Sequence, residues 1–166
     1  MRVLVAYGSK RGGTSGLADM IGAALTKAGC EAVVTSAGDN PDVADVDAVI
    51  VVGALYANRW HPDARRFVRR NSAALHKFPV WLVSTGPLDD SAERHVIPPT
   101  RQVAKLAARV DARGHVTFGG RLARDAKGFP ASAMAKKVAG DWRSQAHVQR
   151  WVESVVSQLN SAKAGH

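Results

Sequence analysis

Two four-residue runs without a polar position, Val3-Leu4-Val5-Ala6 and Val49-Ile50-Val51-Val52, constrain this chain more than any other feature. A strand with one face in water alternates apolar and polar residues. A strand apolar throughout must be covered on both faces, as parallel strands are when helices lie above and below them. Five strands are expected: Arg2 to Tyr7, Glu31 to Thr35, Ala48 to Gly53, Pro79 to Ser84 and His115 to Gly119. The segments between them carry helical periodicity. Leu17, Ile21, Leu25 and Ala28 form one stripe, with Gly29 as its stop, and Ala64, Phe67, Val68 and Leu75 form a second, opened by Pro62. Val103, Leu106, Ala107 and Val110 make a third, and Val148, Trp151, Val152, Val155 and Leu159 a fourth. Ser36 to Asp47 is rich in Asp, Gly and Pro and leaves room for a brief helix at most. This alternation predicts an α/β domain, a doubly wound five-stranded parallel sheet with helices on both faces. The domain is expected over residues 1–160, with a frayed tail over 161–166.

The charge is the unusual part of the composition. Lys and Arg number 23 against 14 Asp and Glu, a formal net charge of +9. Such a surface concentrates anions, whether nucleic acid, an anionic leaflet or polyanionic small molecules, although a basic solvated surface without a partner has the same composition. Arg65, Arg66, Arg69 and Arg70 lie off the second helical stripe and read as a solvated face. The single cysteine, Cys30, excludes an intramolecular disulfide and reads as a small buried hydrophobe. The first apolar run ends at Tyr7-Gly8-Ser9, too early for a secretory leader, and no later stretch reaches membrane-spanning length. A soluble, cytoplasmic protein is expected, with peripheral contact at an anionic membrane surface as a further candidate. His76, His95, His115, His147 and His166 lack metal-ligand spacing, so no metal site is expected. With no nucleophile–base arrangement either, no catalytic residue is assigned, and a cofactor is expected to carry the chemistry.

Ligands of doubly wound sheets bind beyond the carboxyl ends of the strands, where strand order reverses. After the first strand comes Ser9-Lys10-Arg11-Gly12-Gly13-Thr14, leading into a helix. Small residues let backbone wrap an anion, hydroxyls donate to phosphate oxygens, and the helix start adds oriented amides. The spacing is neither a Walker A loop nor Gly-x-Gly-x-x-Gly. After the third strand comes Ala54-Leu55-Tyr56-Ala57-Asn58-Arg59-Trp60. Tyr56 and Trp60 suit stacking on a flat conjugated ring, with Asn58 free for its polar edges; packing of Trp60 at the helix start is the alternative. After the fourth strand, Ser84-Thr85-Gly86-Pro87-Leu88-Asp89 closes the set.

These three loops, in this order, resemble the flavodoxin family. Its phosphate loop, Ser/Thr-x-Thr-Gly-x-Thr, is matched by Ser9, Gly12 and Thr14 in register, with Arg11 in place of the middle threonine. The resemblance implies FMN as cofactor, its phosphate on the first loop and its ring between the other two. A deazaflavin with a polyglutamate tail is the alternative cofactor. Within the superfamily, the phosphate loop and the late arrangement Phe118-Gly119-Gly120-Arg121-Leu122, a basic irregular segment, then Gly140-Asp141-Trp142, look like the menaquinone-dependent protoporphyrinogen oxidases, although the segment is shorter here. That likeness implies an oxidoreductase acting on a quinone-type or anionic small molecule. The alternative is an electron carrier docking redox proteins, which the basic charge disfavours because shuttle flavodoxins are acidic. Nucleic acid is not expected as a partner.

Overall fold

The computed structural model describes residues 1–8, 12–86, 90–122, 140–141 and 143–164. Strand β1 (Arg2–Gly8) leads to helix α1 (Gly12–Lys27), then β2 (Glu31–Ser36), a short 3-10 turn (Ala37–Asp39) and β3 (Ala48–Tyr56). Next come β4 (Arg59–Trp60), α2 (Pro62–Arg70), α3 (Ser72–Leu75) and β5 (Val80–Thr85). The chain continues through α4 (Ser91–Arg94), α5 (Arg101–Arg109), β6 (Gly114–Phe118), the short strands β7 (Arg121–Leu122) and β8 (Gly140–Asp141), and α6 (Gln145–Ala164).

The five long strands form one parallel sheet in the order β2-β1-β3-β5-β6. This is the expected α/β architecture, and the reason for the uninterrupted apolar runs is visible in it. Successive side chains of a strand point to opposite faces. Val3, Val5, Ile50, Val52 and Val83 pack under Leu17, Ile21 and Leu25 of α1 and Val148, Val152 and Val155 of α6. Leu4, Ala6, Val49, Val51 and Leu82 pack under Phe67 and Val68 of α2, Leu75 of α3, and Val103 and Leu106 of α5. Cys30 joins the first of these layers as a buried free thiol.

Element ends differ from expectation where tertiary contacts decide them. Helix α1 stops at Lys27; Gly29 takes a φ of 93°, and Cys30 N–H donates to the Leu25 carbonyl at 2.9 Å. Ala28 therefore leaves the stripe and lies exposed in the terminal turn. The second stripe is divided between α2 and α3 at Asn71. The expected frayed tail is helical as far as Ala164, because Val155, Val156 and Leu159 anchor the last turns of α6 to the core. Between Ser36 and Asp47 there is only the 3-10 turn, capped by the Ser36 hydroxyl, which accepts from Gly38 N–H at 3.3 Å. Most of the irregular basic segment expected between the fifth strand and the last helix lies outside the described residues; its ends pair as β7 and β8. Among the described residues, no helix is long and apolar enough to cross a membrane.

Candidate functional site

From β1 the chain passes to β2 on one side and later returns to place β3 on the other. That reversal sets the carboxyl ends of β1 and β3 side by side, the position at which doubly wound sheets form a ligand crevice. Ser9, Lys10 and Arg11 lie outside the described residues, as do Pro87, Leu88 and Asp89. What surrounds them is defined. Helix α1 begins at Gly12 and includes Gly13 and Thr14 in its first turn, which holds no acidic residue. The positive end of the helix dipole at this turn is suited to an anion. The Thr14 side chain is buried in this turn.

A second helix start lies close by. Gly8, the last residue of β1, is packed so tightly under α2 that an added Cβ would come within 2.7 Å of the Ala64 nitrogen and 3.2 Å of His61 Nδ1. His61 is itself the cap of α2, its Nδ1 accepting from Asp63 N–H at 3.1 Å, ahead of Pro62 in the first turn. Sequence reasoning did not assign His61 a role, although a side-chain acceptor directly before a first-turn proline is a recognisable cap. Arg143 was another omission: its guanidinium occupies the space beside Gly16 where a Cβ would stand, bringing a cation to the start of α1. No local sequence signal joins positions so far apart.

The third-strand loop is not a loop. Strand β3 runs through Ala54, Leu55 and Tyr56 and turns back into β4, pairing Leu55 with Trp60 and Tyr56 with Arg59. The turn residues Ala57 and Asn58 have φ of 50° and 63°, the left-handed pair that a tight type I′ hairpin requires. Tyr56 stands at the mouth, 39% exposed, its ring edge-on to His61 with centroids 6.4 Å apart. Trp60 corrects the expectation of ring stacking. It is 1% exposed and belongs to the core with Phe67 and Val68, its pyrrole edge laid on Gly53 where a side chain would otherwise stand. The cause is the hairpin register, which turns Trp60 under the sheet and Tyr56 outward. The Trp60 backbone N–H donates to Gln102 Oε1 at 2.8 Å, tying the hairpin to α5, and its buried indole Nε1 has no hydrogen-bond partner among the described residues.

Ser84 and Thr85 are likewise strand residues, both buried. Ser84 meets His115 of β6, Oγ to Nε2 at 2.9 Å, while His115 Nδ1 is buried without a partner among the described residues. Burial pushes the His115 pKa down to about 4, so the ring is neutral near pH 7. Gly86 follows β5 directly. A Cβ on it would touch Leu55 at 3.4 Å, and one on Gly120 would approach the Gly86 carbonyl at 3.5 Å. The segments after β3, β5 and β6 thus meet at one edge, with Gly86 between the other two.

The chain matches a family model described as a flavodoxin domain over residues 4–144. It is a member of the flavodoxin domain family. No curated protein sequence matches this flavodoxin-domain protein. Among solved structures it is similar to a cysteine-to-serine mutant of flavodoxin from Pseudomonas aeruginosa, at 15% identity and a TM-score of 0.61, covering 96% of this chain and 99% of that one. It is also similar to a point mutant of the flavo di-iron protein from Thermotoga maritima, at 15% identity and a TM-score of 0.62, covering 95% of this chain but 35% of that one. The rubredoxin oxygen:oxidoreductase from Desulfovibrio gigas matches at 10% identity and a TM-score of 0.56, over 92% of this chain and 36% of that one. At these identities the likeness is one of fold.

Two expectations follow from the packing. Gly53→Ala should destabilise the flavodoxin domain by about 1–3 kcal/mol, because the new methyl meets a wedged indole rather than a flexible chain end. Urea denaturation checks this, and Trp60→Leu in the same chain should recover part of the loss. His115 sets a pH dependence. Its folded pKa lies below the ordinary unfolded value of about 6.5, so the unfolded chain takes up the proton first as pH falls. Its contribution is full above about pH 6.5 and is lost progressively down to about pH 4. The His147 pKa is lowered too, by burial and then by Arg150, against an opposing pull from Glu93, so His115→Gln should flatten only part of the slope in urea midpoints across this range.

Proposed function

We propose that this flavodoxin-domain protein binds FMN at the crevice and serves as an electron carrier. The observation that carries the reading is the arrangement around the crevice: an anion-ready helix start without acidic residues, and a rigid hairpin presenting Tyr56 outward at the same edge. The fit to the cofactor is good on both counts. The first turn of α1 with Thr14, and Ser9 in the preceding loop, would hold the phosphate, with Arg143 adding positive charge beside Gly16. Tyr56 would cover one face of the ring, and Gly86, lacking a side chain beside Leu55, would leave room for the ring edge. Bound there, FMN supplies one- and two-electron redox chemistry. The protein's part is to orient it, shield it on the Tyr56 side and set the local field. A carrier needs little else, because its chemistry is completed on a partner. A flavin-dependent oxidoreductase acting on a quinone-type or anionic small molecule is the second reading, favoured by the net charge of +9.

Apo-protein titrated with FMN should quench flavin emission at saturation. Tyr56→Ala should restore much of that emission. Thr14→Ala, by removing a hydrogen bond to a charged group, should weaken FMN binding by roughly ten- to hundredfold while leaving riboflavin affinity nearly unchanged. A parallel titration with a deazaflavin mononucleotide compares the two cofactor classes. Failure to bind either would overturn the reading.

A further inference from the structure

The arginines around the Tyr56 hairpin form a surface that the cofactor crevice does not account for. Arg59 closes the hairpin opposite Tyr56, and Arg66, Arg69 and Arg70 stand exposed along α2. Arg65 is fixed at the junction, its Nε donating to the Trp60 carbonyl at 3.1 Å. Its pKa is lowered by burial and then by repulsion from Arg59, Arg69 and Arg66, which shows how closely these cations are gathered. Helix α2 contains one carboxylate, Asp63, 3.7 Å from Arg66. Helix α5, on the same face of the sheet, adds Arg101, Lys105 and Arg109, exposed at successive four-residue intervals, and contains no carboxylate. Like charges at that spacing weaken a helix, as they do for Arg65 with Arg69 and Arg66 with Arg70. The folded chain tolerates this crowding on one face, and an incoming set of carboxylates would relieve it.

We infer that the exposed face of α2 and α5 is the docking surface for an acidic partner protein, whose carboxylates pair with Arg59, Arg66, Arg69, Arg70, Lys105 and Arg109. The inference deepens the carrier reading and rests on it for the partner's redox role. Two observations favour a protein over a lipid surface. The apolar residues of α2, Ala64, Phe67 and Val68, all face the core, so this helix has nothing to insert among acyl chains. Among the described residues, the large apolar side chains left exposed are Tyr56 and Val96, and neither lies on α2 or α5. The cations of α2 are all arginine, whose planar fork pairs with carboxylate and phosphate oxygens alike, so the choice between them rests on the missing apolar side chains. The surface starts at Arg59, paired with Tyr56 in the hairpin, and runs from there along α2.

The test uses oxidised plant-type ferredoxin, an acidic redox protein, as probe, with binding to apo-protein and to FMN-loaded protein measured separately by calorimetry. Binding to the apo-protein does not depend on the flavin, so failure of the carrier reading and failure of the docking surface are read apart. Ferredoxin should bind both forms at low salt and weaken by about tenfold or more as ionic strength approaches the physiological value. Joint replacement Arg66→Glu, Arg69→Glu and Arg70→Glu should weaken binding by about tenfold or more. Lys27→Glu, Arg150→Glu and Lys163→Glu, the same charge change on the opposite helical layer, should weaken it far less. Circular dichroism checks that both sets remain folded, and Arg→Gln versions give the same comparison without added negative charge. Equal loss in the two sets, absence of ferredoxin binding at low salt, or binding to phosphatidylglycerol vesicles without binding to ferredoxin would each overturn the assignment.

Discussion

Burial of the central strands on both faces is the constraint from which the rest of this molecule follows. Two neighbouring parallel strands cannot be joined by a tight turn; the chain must pass from one to the next through a crossover that covers the sheet. Each crossover starts at the carboxyl edge of the sheet. The connections able to carry chemistry are thereby collected along one edge, and the reversal of strand order at β1 parts them into a crevice. The helices whose starts flank this crevice, α1 and α2, are the ones that bury Ile21 and Phe67 on opposite faces. Packing and site geometry are consequences of the same arrangement.

What was legible in the sequence is what local pattern determines. The runs at Val3 and Val49 marked two central strands covered on both faces, and Gly29 marked a helix end that the structure places within two residues. Trp60 shows where local reading ends. An aromatic residue beyond a strand is as consistent with a ligand wall as with a core wedge, and the choice depends on whether the chain turns after Tyr56. Ala57-Asn58 carries neither glycine of the usual hairpin turn, so the turn was invisible until Leu55 was seen paired with Trp60. Ser84 belongs to the same kind of error. Its hydroxyl looked available at a strand end and is instead held beneath the sheet by His115, 31 positions away.

The electrostatics divide between the two helical layers. On the side of α2 and α5, basic residues are crowded with one carboxylate between the two helices, and Arg65 records the repulsion. On the side of α1 and α6, opposite charges are interspersed, with Asp19 and Lys27 on α1 and Arg150 and Glu153 on α6. Among the described helices, charge is thus unevenly spread between the two layers, a polarity that composition alone does not convey.

The turn at Ala57 and Asn58 has a consequence for how quickly a ligand can come and go. Both residues hold left-handed backbone in a two-residue hairpin whose strands are pinned by Trp60 beneath and Gln102 alongside. Tyr56 is therefore carried on paired strand, and a wall built that way is preorganised relative to an open loop. Release of a bound molecule past this side would be governed by the contacts that must break rather than by a waiting time for loop opening. For a ligand held there as proposed, residence time would follow affinity more than motion of the hairpin.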